Sequence, residues 1–128
     1  MTATEPRAQA IALARAGRLA EAAAALERLL ATAPKDAAAW AMLGQLRLDL
    51  GRSAEALAAF DEAVALQSER AENHLNRGVA LGRLERHAEA LDDYDKALAL
   101  RPDLAVAHAN RAQALNELSR HEEAAEAA

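Results

Sequence analysis

The chain has no cysteine among its 128 residues, which excludes disulfides and thiolate chemistry and removes the commonest ligand of zinc sites. Aromatic residues are almost missing too: Trp40, Phe60 and Tyr94 are the whole set. Three prolines and five glycines supply too few turn residues for a hairpin-rich β fold. No stretch reaches the ~18 uninterrupted apolar residues of a membrane span. The N-terminal residues, Glu5 among them, lack the apolar core of a secretory signal. Positive charge is scarce as well: 15 Lys and Arg stand against 20 Asp and Glu, a net charge of -5. Nucleic acid and anionic membranes are held by clustered cations, so neither is expected as a partner. Together these absences point to a cytoplasmic location.

What is present is helix-forming. The chain is 52% hydrophobic by count, and Ala and Leu carry most of that content. It also repeats itself. His74, Asn76, Arg77 and Ala80 recur as His108, Asn110, Arg111 and Ala114, always 34 residues on. A fixed period in this range signals stacked units. The spacing predicts one array over 1–128, divided into repeats at 3–36, 37–70 and 71–104, with a truncated fourth at 105–128.

Each unit carries two helical stretches. In the second, Trp40, Leu43 and Leu50 recur at helical spacing and Gly51 follows as a stop. Ala56, Leu57, Phe60, Ala63 and Val64 then form an apolar stripe, with Ser53 before it as an expected N-cap. Asp36 and Asp103 are expected to cap the first helices of their units. One repeat position holds Ala10, Gly44, Gly78 and Ala112; another holds Ala22, Ala56, Ala90 and Ala124. Small residues there let antiparallel helices approach closely, and Leu26, Phe60 and Tyr94 fill the space beside them. Helices of three to four turns are marginal alone, so stacking must stabilise them.

The pattern Trp40, Leu43, Gly44, Gly51, Ala56, Phe60 and Ala63, with Pro102 closing the following unit, resembles the tetratricopeptide repeat. The resemblance implies an all-α fold: a right-handed α-α superhelix of antiparallel helix pairs. Two positions depart from it, Glu85 and Ser119, where Gly17 and Gly51 correspond. If that turn needs a positive φ, each departure costs of order 1 kcal/mol.

The candidates for chemistry are few. His74/His108 and His87/His121 are each one repeat apart, which places them about 9–10 Å from each other on neighbouring hairpins, too far to share an ion. No metal site is therefore expected. Asp92, Asp93 and Asp95, and likewise Glu122, Glu123 and Glu126, read as solvated charged faces. No Ser/His/Asp grouping or glycine-rich phosphate loop occurs, so neither catalytic residues nor a cofactor are expected.

The resemblance implies that the first helix of each unit lines a concave peptide groove. On it the expected contact residues are Arg7, Ile11, Met42, Gln45, Leu48, Leu75, Asn76, Val79, Asn110 and Gln113. Charge nearly cancels along this face. A carboxylate clamp of the family's chaperone-tail binders is not expected, because Ile11 and Met42 replace its asparagines, Glu72 its lysine and Asn76 its arginine; only Arg7 fits. The alternative is an asparagine ladder, with Asn76 and Asn110 as rungs that hold a peptide backbone without reading its sequence. The plain reading of the same residues is that Asn is common at this repeat position. The expected function is a non-catalytic interaction scaffold for an extended peptide or partner helix. Two other readings are the receptor arm of a larger enzyme, such as a glycosyltransferase, and a self-assembly module. The short fourth unit suggests a longer natural array, or a C-terminal end covered by a second copy.

Overall fold

The computed structural model describes residues 5–127. Among these it contains seven α-helices and no strand: α1 (Glu5–Arg15), α2 (Leu19–Thr32), α3 (Ala37–Asp49), α4 (Ser53–Leu66), α5 (Ala71–Arg83), α6 (His87–Leu100) and α7 (Ala105–Ala127). They form two compact units: α1–α4, ending at Gln67, and α5–α7, beginning at Ser68.

Close approach within a helix pair rests on matched sizes. Ala22, Ala56 and Ala90 are fully buried; the side chain of Ala124 lies outside the described residues. A Cβ built on Gly78 would sit 2.5 Å from Cε1 of Tyr94, and one on Gly44 would overlap the Phe60 ring. In the first repeat the same pairing is Ala10 with Leu26, both fully buried. A glycine faces each aromatic ring, and an alanine faces the smaller leucine. Trp40 differs from Phe60: it is only partly buried, at the margin of the first unit's core.

The turn between paired helices has one geometry, used three times. Gly17, Gly51 and Glu85 have φ of 79, 77 and 63°. At each, the left-handed residue donates its N–H three residues back, to Ala14, Leu48 and Gly82, and the next residue donates five back, to Leu13, Arg47 and Leu81. This is the Schellman closure, which satisfies the last carbonyls of the helix. Glu85 thus adopts the positive φ its position demands, at the cost a non-glycine incurs there.

At Ser119 the expectation of a turn fails. The chain runs on without a break, so α7 is one 23-residue helix rather than a helix followed by a two-turn second one. The reason lies in the residues on the far side of each turn. After Glu85, reversal buries Tyr94, Ala90 and Ala97, and one large side chain alone returns ~1.5–3 kcal/mol. After Ser119 the residues are Arg120, His121, Glu122, Glu123, Glu126 and alanines, whose burial would not offset a left-handed serine. Leu115 is left 41% exposed.

Helix starts are partly as expected. Asp36 caps α3, accepting from Ala39 N at 3.1 Å, and its carboxyl also binds Arg7. Burial draws that carboxyl up, but Arg7 and the Ala39 and Ala38 N–H groups outweigh it and hold it below its usual range. Ser53 does not cap. It is the first residue of α4, and the cap position belongs to Arg52. Likewise α7 starts at Ala105, one residue too late for Asp103 to cap it. The second helices instead share an arginine paired with a glutamate three residues on: Arg18–Glu21 at 2.9 Å, Arg52–Glu55 at 3.9 Å and Arg86–Glu89 at 2.6 Å. Arg120, their counterpart inside α7, turns back to Glu117 at 3.1 Å.

A second device ties each of α3, α5 and α7 to the loop before it. Trp40 Nε1 donates to the Pro34 carbonyl at 2.8 Å; His74 Nε2 meets Ser68 O at 2.6 Å and His108 Nε2 meets Pro102 O at 2.8 Å. A carbonyl only accepts, so Nε2 carries the proton in both histidines.

Candidate functional site

The expected groove residues are distributed among three fates. In the first unit, Ile11, Met42 and Gln45 come together around a cavity of about 280 Å³, joined by Leu19 and Asp49. In the second unit, Val79, Asn110 and Gln113 line a cavity of about 280 Å³ with Arg83, His87 and Tyr94. The other four residues join neither. Arg7 is engaged by Asp36, and Leu75 packs against Ala71, Ala97 and Ala107. Leu48 is 2% exposed, so it offers no surface to a ligand: it fills space inside the fold, as the apolar side chain of a tightly packed helix will. Asn76 is half-buried and lines neither cavity.

Charge on these helices is largely spoken for locally. Asp49 accepts from Gln45 Nε2 at 3.1 Å, and Glu117 pairs with Arg120. Glu72 binds Arg101; its own backbone N–H, opposed by slight burial and aided by Arg101 and Arg70, holds the carboxyl below its usual range. A strongly anionic peptide terminus finds little unclaimed positive charge on Arg7. Around the second cavity, burial and the neighbouring Asp93 carboxylate push the Tyr94 phenol up to about 12.

The carboxylates of α6 do not form one solvated face. Asp92 pairs with Lys96 at 3.0 Å and Asp95 with Arg111 at 2.6 Å, both exposed. Asp93, however, is 2% exposed and accepts two hydrogen bonds from Arg77. Sequence reading missed this pair although the repeat frame held the signal: Arg77 and Asp93 stand where the preceding repeat has Leu43 and Ala59, so both partners change together.

The distance expected between His87 and His121 is also corrected. Their ring centroids are 5.7 Å apart with planes at 85°. The continuation of α7 past Ser119 places His121 beside the start of α6, where an added hairpin would have carried it one helix spacing away. Glu85 Oε2 lies 3.6 Å from His87 Nε2 and 4.0 Å from His121 Nε2.

Helix pairs closed by left-handed turns, repeated at 34 residues with small-to-large matching, define a helical-repeat protein of the solenoid class. The chain belongs to the tetratricopeptide repeat family, whose model matches residues 7–71, 42–105 and 75–128. None of the curated proteins matches it in sequence. Among solved structures it is similar to the first tetratricopeptide domain of Spaghetti (RPAP3) bound to the HSP90 peptide SRMEEVD, at TM-score 0.88 and 21% identity over 91% of this chain and 93% of that one. The first such domain of human RPAP3 gives 0.88 and 21% over 94% and 95%. A MamA structure gives 0.83 and 26% over 97% of this chain and 71% of that one. Among the described residues no helix is long and apolar enough to cross a membrane.

Proposed function

We propose that this chain is a non-catalytic interaction module whose first helices bind extended peptide. The observation that carries the reading is the cavity of the second unit. There Asn110 and Gln113 on α7 line the cavity together with Val79 on α5. Each amide offers both donor and acceptor, the pair of functions a peptide backbone requires, and Val79 supplies apolar contact. The cavity of the first unit, with Ile11 and Met42, suits an apolar side chain. The fold shared with a peptide-bound Spaghetti domain supports the class of ligand. The residues argue against the acidic tail seen there, since Arg7 is paired and Glu72 adds negative charge.

Fluorescence anisotropy with labelled, sequence-degenerate extended peptides tests this. Asn110→Ala combined with Gln113→Ala is expected to weaken binding about tenfold, two hydrogen bonds at ~1 kcal/mol each less partial replacement by water, with helicity unchanged. Added salt should change affinity little, because few ion pairs are available to screen. Failure of every extended peptide to bind, unchanged affinity in the double variant, or preferential binding of SRMEEVD with steep salt dependence would each defeat the reading.

A further inference from the structure

We propose that Glu85, His87 and His121 form a binding site for one divalent transition-metal ion of the zinc class. One donor atom from each residue lies within 4.8 Å of the other two. Two imidazole nitrogens and one carboxylate oxygen are ligands that zinc, cobalt and nickel accept. Magnesium and calcium demand more oxygens than this set supplies.

The geometry sits near closure. Metal–donor bonds of ~2.0–2.2 Å in a tetrahedron put donors roughly 3.3–3.6 Å apart. The oxygen of Glu85 is 3.6 Å from the His87 nitrogen and 4.0 Å from that of His121, so small side-chain rotations complete the shell. The burdens of fixity and movement fall on different ligands. His87 is only 11% exposed and held at the head of α6, whereas Glu85 and His121, at 74% and 58%, are free to swing toward it. Three protein ligands leave a fourth position to water.

Two further observations point to a ligand here. His87 Nε2 is buried and makes no hydrogen bond, a polar atom left without the partner that burial normally requires. Glu85 also holds φ 63° where the equivalent turns use Gly17 and Gly51. A non-glycine in that region is strained, and such strain is typically retained where a side chain is needed in place. The glutamate puts its carboxylate beside His87, which glycine could not do. The continuous α7 then delivers the third ligand.

The test uses the tag-free chain and zinc chloride in isothermal titration calorimetry, with cobalt(II) as an absorbance probe. One zinc per chain is expected in a protein that sediments as a monomer, and cobalt should give the intense visible bands of four- or five-coordination. His121→Ala and Glu85→Gln should each lower zinc affinity about tenfold or more, without moving the melting temperature of the metal-free protein. Glu85→Gly separates binding from folding: it should raise the metal-free melting temperature and still abolish tight binding. No zinc binding by the wild-type chain overturns the proposal. So does affinity unaffected by His121→Ala, and so does half an equivalent of zinc accompanied by dimerisation.

Discussion

Arg77 holds both oxygens of the buried Asp93 carboxylate, Nε to Oδ2 and Nη2 to Oδ1, each at 2.9 Å. In the preceding repeat the same two positions are Leu43 and Ala59, both buried. The same two fold positions therefore carry an apolar pair in one repeat and a charged pair in the next. Arg77→Leu strands a carboxylate in the interior and should cost about 3–5 kcal/mol. Arg77→Leu with Asp93→Ala, which copies the preceding repeat, should recover most of that loss. Urea denaturation of the two variants measures it; equal destabilisation in both would show that the pair acts through packing rather than charge.

Gly44→Ala gives a second coupled prediction. Alanine normally gains ~1 kcal/mol over glycine inside a helix, but here its Cβ overlaps the Phe60 ring. Overpacking of this kind costs about 1–3 kcal/mol, so the net effect should be destabilising. Adding Phe60→Leu reproduces the Ala10 and Leu26 pairing of the first repeat and should restore part of the stability. A thermal melt in which Gly44→Ala is the more stable protein would disprove the size matching.

Glu85→Gly should stabilise the metal-free chain by about 1 kcal/mol, by relieving a left-handed glutamate. Chemical denaturation in the presence of a chelator reads this directly. A loss of stability would mean that the Glu85 side chain contributes more to the fold than its backbone costs.

The chain has a single tyrosine, so its ionisation can be followed alone. Tyr94 should show almost no phenolate absorbance at 295 nm until the pH nears its raised value of about 12. The folded value lies above the ordinary 10.0. Tyr94 therefore favours the folded state fully below pH 10, and that contribution declines as pH rises from there to about 12. Phenolate appearing near pH 10 while the helical signal persists would contradict its burial against Asp93.

Much of the architecture was legible because it depends on period and residue size. The 34-residue frame, the helix pairs and the facing of Gly44 to Phe60 all follow from which positions must be small. The positive φ at Glu85 was legible for the same reason, as the frame demanded it whatever residue stood there. The straight run through Ser119 was not, because an identical frame position forms a turn only when later residues give the returning helix something to bury. The candidate site was read less completely. Ile11, Met42 and Gln45 line one cavity, whereas Leu48 and Leu75 are spent on packing, and Arg7 on the cap of α3. The His87, His121 and Glu85 grouping escaped the sequence reading because the expected separation assumed the turn that α7 does not make.

The contact from Trp40, His74 and His108 to a carbonyl six residues earlier restricts that position in a way size does not. What the indole and imidazole share is an N–H at similar reach from the backbone; phenylalanine has the ring without the donor, and tyrosine carries its hydroxyl too far out. The three repeats thus spell one instruction in two letters. A chain rebuilt with Trp40→His and His74→Trp would keep every loop fastened at its original angle, whereas phenylalanine at the same places would keep the bulk and let the loops choose their own course.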